Sequence, residues 1–319
     1  MDLISLYYFS ELAKDLHMTR TASRLFISQQ TLSNHIKRLE EDLGCELLER
    51  KPRLRLTMAG EATLYFAGLV TDGYTNLKDA IADITENECG ILRIGGSNLR
   101  LNACLPKILP QFSSVYPNVE FRLTEANSVD LEPMIISGDI DFAMVMPMDE
   151  DPILETQHLL DEPTYLCVAE SILKRYYGER SEEIKRNAMN GATVDQFSEL
   201  PFCLNSSRLG KIVMKCFEDA AIVPKIYAMS SGTHISLSLC IQRSAACITS
   251  QMRLETHKDN LPPDINIFPF YSEGRPVTQP VRLIYRKDRY ISRYARLFLD
   301  LLRQYFVNIG ELHLEHMAE

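Results

Sequence analysis

A run of uncharged polar side chains near the N-terminus has the chemistry needed to recognise the edges of nucleic-acid bases. Glutamine and asparagine amides can pair with adenine through two hydrogen bonds, and the methyl group of threonine can contact that of thymine. We predict that five residues of the run read bases: Gln29, Gln30, Thr31, Ser33 and Asn34. Gln29, Gln30 and Ser33 are the strongest candidates. The alternative is an ordinary solvated helix face.

Cations on both sides of this run could contact phosphate groups. The net charge of the chain is −9, but the first 60 residues hold nine cations and eight carboxylates, so the rest of the chain carries −10. No carboxylate lies between Leu16 and Leu39, or between Arg50 and Gly60. One face of a small fold could therefore be cationic, and ordinary surface charge is the alternative. The predicted phosphate contacts are Thr19, Ser28, Lys37, Arg50 and Arg53, with Arg20, Arg24, Arg38 and Arg55 as further candidates.

Hydrophobic spacing predicts that these side chains lie on a winged helix-turn-helix unit over residues 1–58. Apolar residues at positions 3, 6, 9 and 12 indicate a first helix, and a second is expected over residues 19–25 with Thr19 as its N-cap. Ser28 is expected to cap a third helix, which buries positions 32, 36 and 39 and ends at Gly44 in a left-handed cap. Two short β-prone stretches around Pro52 predict a hairpin wing.

A linker helix is predicted over residues 59–88. Apolar residues at positions 70, 77, 81 and 84 form a seam that could face a second copy of the chain. We therefore predict dimerisation through this helix. The alternative is a helix that packs only on its own domain.

Residues 89–319 alternate between strand and helix patterns, which is typical of a parallel α/β sheet. The order strand, helix, strand, helix, strand is predicted from residue 91 to 146 and again from residue 202 to 249. A last strand over residues 281–285 and an amphipathic helix over residues 291–306 follow. Two such halves predict two lobes with a ligand cleft between them. Gly95, Gly96, Ser97 and Asn98 follow the first strand, and their N–H groups and hydroxyl would suit a carboxylate.

Composition is that of an ordinary folded protein of about two domains. The chain has 319 residues, of which 45% are hydrophobic and 24% are charged. No apolar run reaches the length of about 18 residues that a membrane span needs, and the N-terminus lacks the pattern of a signal peptide. The eight cysteines are spaced singly, without a C-x-x-C motif, which favours reduced thiols in the cytoplasm.

The segment from Leu16 to Arg50, with Leu56-Thr57 and Ala59-Gly60 after it, resembles the N-terminal signature of the LysR-type transcriptional regulators. The stretches GILRIGGS, LPKILPQFSSVYPNVEF and SGDIDFAMV are similar to the start of that family's regulatory domain. The chain departs from the family pattern at Gln30, where proline is frequent, at Asn34, where arginine is frequent, and at residues 243–245, where a glycine-rich turn is common. The operator sequence therefore cannot be carried over from the family.

The resemblance implies a cytoplasmic, sequence-specific transcriptional regulator that is not an enzyme and needs no cofactor or metal. Its implied partners are double-stranded operator DNA, a small-molecule effector such as a carboxylate metabolite, RNA polymerase and further copies of the chain in a dimer or tetramer. Effector contacts are implied at Ser97, Asn98, Ser128, Met146, Asn205 and Thr233. Helix capping is the alternative role for the serines. Effector binding would reorient the lobes and thereby change the dimer–dimer geometry and the bend of the DNA.

Three other classes of protein fit parts of the sequence. A solute-binding protein would match residues 89–310, although the N-terminal unit argues against it. An enzyme is disfavoured because no complete G-x-G-x-x-G, G-x-S-x-G or H-E-x-x-H motif occurs. A thiol-based redox sensor of the same family would need a pair such as Cys203 and Cys216, since Ser207 stands nine residues before Cys216. His313 and His316 could hold a metal weakly, but a solvated tail is the simpler interpretation.

Overall fold

The polar run at residues 28–34 lies on the second helix of a helix-turn-helix. The structure, a computed structural model, describes residues 2–49, 53–85, 89–146, 151–230 and 234–310. The N-terminal unit packs three helices around a core that includes Leu6, Phe9, Leu32 and Ile36. Its two short strands pair antiparallel as a wing. The elements are α1 (Leu3–Asp15), α2 (Met18–Arg24), α3 (Gln29–Leu43), β1 (Leu48–Glu49) and β2 (Arg55–Leu56).

Local capping fixes where these helices begin and end. The Ser28 hydroxyl accepts a hydrogen bond from the backbone N–H of Thr31, and Gly44 ends α3 with φ at +70°, as predicted. The prediction that Thr19 caps α2 is wrong. The helix begins one residue earlier, and the ring of His17 accepts the backbone N–H of Arg20 at 3.3 Å.

The linker helix α4 (Met58–Ile84) is joined rigidly to the N-terminal unit. The Thr57 hydroxyl caps it by accepting the N–H of Gly60 and also donates to the carbonyl of Glu46 at 2.8 Å. A side-chain carbon at Gly60 would lie 2.1 Å from the carbonyl oxygen of Leu47. Only glycine permits this close approach, which explains why glycine stands at the end of the Leu-Thr-x-Ala-Gly sequence.

Lobe 1 contains the predicted parallel arrangement. Strands β3 (Gly90–Gly96), β4 (Val119–Glu125) and β5 (Phe142–Val145) are parallel, with β3 between the other two. Helices α5 (Asn98–Val115) and α6 (Ser128–Ile136) connect them. This confirms the predicted order of strand and helix from residue 91 to 146.

A strand that the sequence did not predict, β6 (Leu154–Ala169), crosses from lobe 1 to lobe 2. Its first part pairs with β13 (Thr278–Arg286), and its last part pairs with β9 (Cys247–Ser250) and β10 (Ile265–Pro269). All of these pairings are antiparallel, as is that of β13 with β5. The expectation of a purely parallel sheet is therefore wrong: the sheet that links the lobes is mixed.

Lobe 2 has its own hydrophobic core, separate from that of lobe 1. Its strands β7 (Pro201–Asn205) and β8 (Lys225–Ser230) are parallel, as predicted. The last helix of the described chain returns to pack on α5 in lobe 1. The remaining elements are α7 (Glu170–Tyr177), α8 (Ser181–Ala188), α9 (Arg208–Asp219), α10 (His234–Ile241), α11 (Gln251–His257), β11 (Tyr271–Ser272), β12 (Arg275–Pro276) and α12 (Arg293–Gly310).

Within the described ranges, we find no helix with the length and apolar character needed to span a membrane.

The close approach at Gly60 leads to a prediction about the free energy of unfolding. Gly60→Ala should lower the free energy of unfolding by about 1–3 kcal/mol, because the new methyl group would collide with the backbone of Leu47. Gly73→Ala is the matched control, since Gly73 lies in the same helix with nothing within 4 Å of the added carbon. This control should gain about 0.5–1 kcal/mol from helix propensity. Chemical denaturation of the full chain measures both changes, and a neutral Gly60→Ala variant would contradict the prediction.

Candidate nucleic-acid interface and inter-lobe cleft

The N-terminal end of α3 directs its polar side chains away from the core. Leu32 and Ile36 are fully buried, whereas Gln29, Gln30 and Asn34 are exposed. The Oε1 atom of Gln29 accepts a hydrogen bond from the Thr19 hydroxyl at 3.0 Å, which restrains this amide while its N–H groups have no partner in the described chain. The arrangement presents amide groups at the end of a helix that is shaped to enter a major groove.

Three residues predicted to contact DNA form hydrogen bonds within the N-terminal unit. The hydroxyls of Ser28 and Thr31 lie 2.8 Å apart, and Ser28 also caps α3. Thr19 holds Gln29. Ser33 is half-buried, so less of its side chain is accessible than the sequence suggested. Gln29, Gln30, Thr31 and Asn34 are exposed, but the hydroxyl of Thr31 already contacts that of Ser28.

The cations of the N-terminal unit differ in whether they form ion pairs with carboxylates. Arg24 pairs with Glu11 and lies 3.5 Å from Asp15, which removes it from the candidate surface. Lys37 is exposed and pairs loosely with Glu41 at 3.4 Å. Arg53, beside the wing, is exposed and has no ion pair within the ranges that the structure describes. Arg50 lies outside the described residues.

The predicted effector residues form hydrogen bonds within each lobe. The Ser97 hydroxyl caps α5, and the amide of Asn98 donates to Glu125 at 3.0 Å. Ser128 and Met146 are brought together, because the N–H of Met146 donates to the Ser128 hydroxyl at 3.0 Å.

In lobe 2, the side-chain oxygen of Asn205 accepts the N–H of Ser207, whose hydroxyl caps α9. Thr233 lies outside the described residues. Ser97 therefore has the alternative role of a helix cap. The Ser128 hydroxyl accepts a backbone hydrogen bond instead.

A buried ionic cluster, which was not predicted from the sequence, lies where β6 leaves lobe 1. Glu162 on β6 is 2% exposed and accepts the N–H of Met252 at 2.8 Å. Burial raises the pKa of the Glu162 carboxyl, while the charges of Arg100 and Arg253 act in the opposite direction. Arg100 is 7% exposed, and its Nε atom has no hydrogen-bond partner in the described chain. A signal was present in the sequence: a cation in the first turn of a helix opposes the helix dipole.

A second buried cluster, which we call the linker anchor, holds α4 on lobe 1 and consists of Asp79, Asp141 and Arg289. The guanidinium of Arg289 lies 2.8 Å from Asp141 and 3.7 Å from Asp79. Asp79 also accepts the hydroxyl of Tyr294 at 2.8 Å, and Asp141 accepts the N–H of Arg93 at 2.7 Å. Burial raises the pKa of both carboxyls, and Arg289 opposes that shift.

The N-terminal unit also contacts lobe 1 directly. Lys14 on α1 lies 2.7 Å from Asp139, across a cleft of about 800 Å³ that α1 and α4 form with lobe 1. Burial lowers the pKa of Lys14, but hydrogen bonds to Asp139 and Glu11 outweigh it and raise the pKa overall. The two halves of the chain are therefore joined by a partly exposed ion pair, by the linker anchor, and by hydrogen bonds of Asn76 and Asp83 on α4 to residues 288–293.

The thiols give no support to a redox pair. All eight cysteines are free. Cys203 and Cys216 are 1% and 6% exposed, and burial raises the pKa of the Cys216 thiol, which disfavours the reactive thiolate. Ser207, at the position where such a sensor would need a cysteine, caps α9. Among the described residues, no group of three or more His, Cys, Asp or Glu residues is placed to hold a metal, and His313 and His316 lie outside them.

Comparison with known families agrees with both halves of this architecture. The model of the bacterial regulatory helix-turn-helix protein, lysR family, matches residues 3–61, and the model of the LysR substrate binding domain matches residues 85–307. The chain belongs to the LysR family. It is therefore a DNA-binding transcriptional regulator with an effector-binding domain, as the resemblance implied.

Some relatives and solved structures are similar to this LysR-type regulator over nearly its whole length. YcgK, an HTH-type transcriptional regulator of Bacillus subtilis (strain 168), is 26% identical over 317 residues, which are 95% of this chain and 94% of YcgK. A full-length OxyR from Pseudomonas aeruginosa has a TM-score of 0.69 at 21% identity, covering 96% of this chain and 94% of that one. Full-length CbnR in complex with its target DNA has a TM-score of 0.58 at 22% identity, covering 96% and 100%.

The linker anchor leads to a second prediction about the free energy of unfolding. Arg289→Met should lower the free energy of unfolding by about 3–5 kcal/mol, because it removes the cation nearest to both buried carboxylates and leaves Asp141 with only Arg93 at 3.6 Å. The matched change at the exposed contact, Asp139→Asn, should cost at most about 1 kcal/mol. Denaturation by urea, followed by circular dichroism, compares the two. Equal losses in both variants would show that the anchor contributes no more than a surface ion pair.

Proposed function

We propose that residues 1–58 bind an operator by inserting the N-terminal end of α3 into a major groove. The observation that carries this proposal is the exposed amide surface of Gln29, Gln30 and Asn34, flanked by exposed cations and free of carboxylates from residue 16 to 39. Base reading is assigned to Gln29, Gln30 and Asn34, with smaller contributions from Thr31 and Ser33. The complex of CbnR with its target DNA supports this use of the fold.

Phosphate contacts are assigned to the cations around the recognition helix. Lys37 and Arg53 are exposed, and Arg50 belongs to the same wing by sequence. Thr19 and Ser28 are assigned to the positioning of Gln29 and α3, and their proximity to the backbone of a bound duplex remains a prediction. Such contacts would set affinity and salt dependence, while the amides would set sequence preference.

We propose that residues 59–88 pair this chain with a second copy. Leu77, Ile81 and Ile84 are 55%, 49% and 80% exposed on α4, and a single chain leaves them in water. Val70, the first member of the predicted seam, instead packs against the N-terminal core. A dimer would bury the other three side chains and place two recognition helices on one duplex. A tetramer and a contact with RNA polymerase remain predictions.

The lobes of residues 89–319 are proposed to bind a small effector that alters operator binding in the cytoplasm, without catalysis. Ligand binding between lobes would favour one relative orientation, and the linker anchor would carry that change to α4. Ser97 and Asn98, at the start of α5, are the proposed contacts in lobe 1. Ser128, Met146, Asn205 and Thr233 remain predicted contacts.

Mutation of Gln29 tests the base-reading role. Gln29→Ala should weaken binding to an operator, obtained by selection from a random-sequence library, by about 1–3 kcal/mol, because it removes a paired amide contact. Binding to unrelated DNA should not change. Fluorescence anisotropy at fixed salt measures both affinities.

Two controls separate base contacts from phosphate contacts and from surface effects. Arg53→Gln should weaken binding to operator and unrelated DNA alike and reduce the salt dependence by about one counterion. Gln111→Ala, an exposed glutamine on α5, should change neither affinity. If Gln29→Ala lowered the affinity for both DNAs equally, the base-reading role would be contradicted. Failure to select any operator would contradict the proposed function.

A further inference from the structure

A hydrogen bond between the side chains of Thr19 and Gln29 joins two helices of the N-terminal unit. Thr19 is the second residue of α2, and Gln29 is the first residue of α3. The Thr19 hydroxyl donates to the Oε1 atom of Gln29 at 3.0 Å, and both side chains are exposed. Because water can replace an exposed hydrogen bond, this one adds little to folding, and its main effect is to restrain the Gln29 amide.

The backbone that carries this hydrogen bond is held in place by the turn between the two helices. The N–H of Ile27 in the turn donates to the carbonyl of Ala22 in α2 at 3.0 Å. Ala22 on α2 and Leu32 on α3 are both buried, so a shift of one helix against the other would disrupt the core. The fold therefore sets the separation of the Thr19 and Gln29 side chains.

The restraint on Gln29 leaves its donors free and occupies its acceptor. One lone pair of Oε1 accepts from Thr19, whereas the two N–H donors of Nε2 have no partner among the residues that the structure describes. The exposed amides of Gln30 and Asn34 form no side-chain hydrogen bond within the same described ranges, so they can turn either way. Among these three amides, Gln29 is thus the one whose orientation is restrained before DNA binds.

The four bases differ in the acceptors that they present in the major groove. Guanine presents N7 and O6, adenine presents N7 and thymine presents O4, whereas cytosine presents only the donor of its N4 amino group. An amide that offers N–H donors therefore suits every base except cytosine. A pairing with adenine through two hydrogen bonds would also need Oε1 to accept from N6, and Thr19 already donates to that atom.

We propose that Thr19 is a positioning residue that orients the Gln29 amide, so that Gln29 reads a base through its N–H donors and rejects cytosine. This inference rests on the proposed function, because it concerns the residue that reads a base there. The sequence alone predicted a phosphate contact for Thr19. In the proposed arrangement its hydroxyl acts through Gln29 instead, and it therefore contributes to sequence preference rather than to general affinity.

Base substitutions in the selected operator test this proposal with the full chain. The position that Gln29 contacts is the one at which Gln29→Ala abolishes the preference among the four bases. There the unmodified chain should bind an operator with cytosine about tenfold or more weakly than one with the best base. Fluorescence anisotropy at fixed salt measures these affinities.

Variants of Thr19 test its role in this discrimination. Thr19→Val keeps the shape of the side chain and removes the hydroxyl, so it should reduce the discrimination against cytosine by about threefold to tenfold, as the loss of one hydrogen bond predicts. Thr19→Ser retains a hydroxyl and should preserve the discrimination. If Thr19→Val fails to fold, Thr19→Ala removes the same hydroxyl with a better helix propensity.

Reversal of the hydrogen-bonding character of residue 29 gives an independent test. Gln29→Glu has nearly the same shape, but an ionised carboxylate can only accept hydrogen bonds. This variant should bind every DNA more weakly, because phosphates repel its charge, and its preference at the contacted position should shift to cytosine. As a control, Thr256→Val removes the hydroxyl of an exposed threonine on α11, outside the N-terminal unit, and should change neither affinity nor preference. Circular dichroism checks the folding of each variant.

Three outcomes overturn the proposal. Thr19→Val could weaken binding to operator and unrelated DNA equally and leave the base preference unchanged, which is expected of a phosphate contact. Thr19→Ser could lose as much discrimination as Thr19→Val, which would show that the hydroxyl is not responsible. The unmodified chain could prefer cytosine at the contacted position, which would show that Gln29 reads through Oε1.

The Gln29→Ala variant distinguishes these failures from failure of the proposed function. If Gln29→Ala abolishes the preference at one position and Thr19→Val does not alter it, only the inference about Thr19 is wrong. If Gln29→Ala changes the preference at no position, the base-reading role of Gln29 in the proposed function is wrong as well.

Discussion

In the mechanism that we propose, communication between the two halves of this regulator depends on the contact of Arg289 with two buried carboxylates. Arg289 lies between Asp141 of lobe 1 and Asp79 of the linker helix, and the three side chains are largely removed from water. Carboxylates that share a buried site repel each other unless a cation separates them. Arg289 therefore helps to hold the linker helix on lobe 1, together with the hydrogen bonds of Asn76 and Asp83 to residues 288–293. Tyr294 reinforces it by donating its hydroxyl to Asp79.

The linker helix is fixed just as firmly at its other end. Thr57 caps it, and Gly60 approaches the backbone of Leu47 so closely that a side-chain carbon there would lie 2.1 Å from the carbonyl oxygen of Leu47. Its 27 residues span about 40 Å at the usual rise per residue. A helix anchored at both ends acts as a rod, so a movement of lobe 1 should displace the N-terminal unit rather than be absorbed by a hinge. We regard this rigidity as the physical basis for regulation in the proposed function.

The parts of the fold that could be predicted are those specified by local sequence. The cap at Ser28, the left-handed end at Gly44 and the repeated strand and helix pattern of lobe 1 depend on residues near one another in the chain. Strand β6 could not be predicted, because its partners lie about 100 residues later and its polar first half resembles a loop until β13 pairs with it. The error at Thr19 has a similar origin: His17 competes for the same cap, and Gln29 gives the threonine a different partner.

The candidate site residues also divide into those specified by local sequence and those that only the fold reveals. The places of Ser97 at the start of α5 and of Gln29 on the exposed end of α3 were predictable from local sequence, and their roles in binding stay predictions. The burial of Arg100 could not be predicted, because in sequence it resembles a surface cation and only the fold places it, almost fully buried, at the N-terminus of α5. Arg20, in the first turn of α2, is also placed against the helix dipole, and it lies on the surface predicted to meet phosphate. A cation in the first turn of a helix opposes the helix dipole, so a phosphate bound beside Arg20 would make that position more favourable.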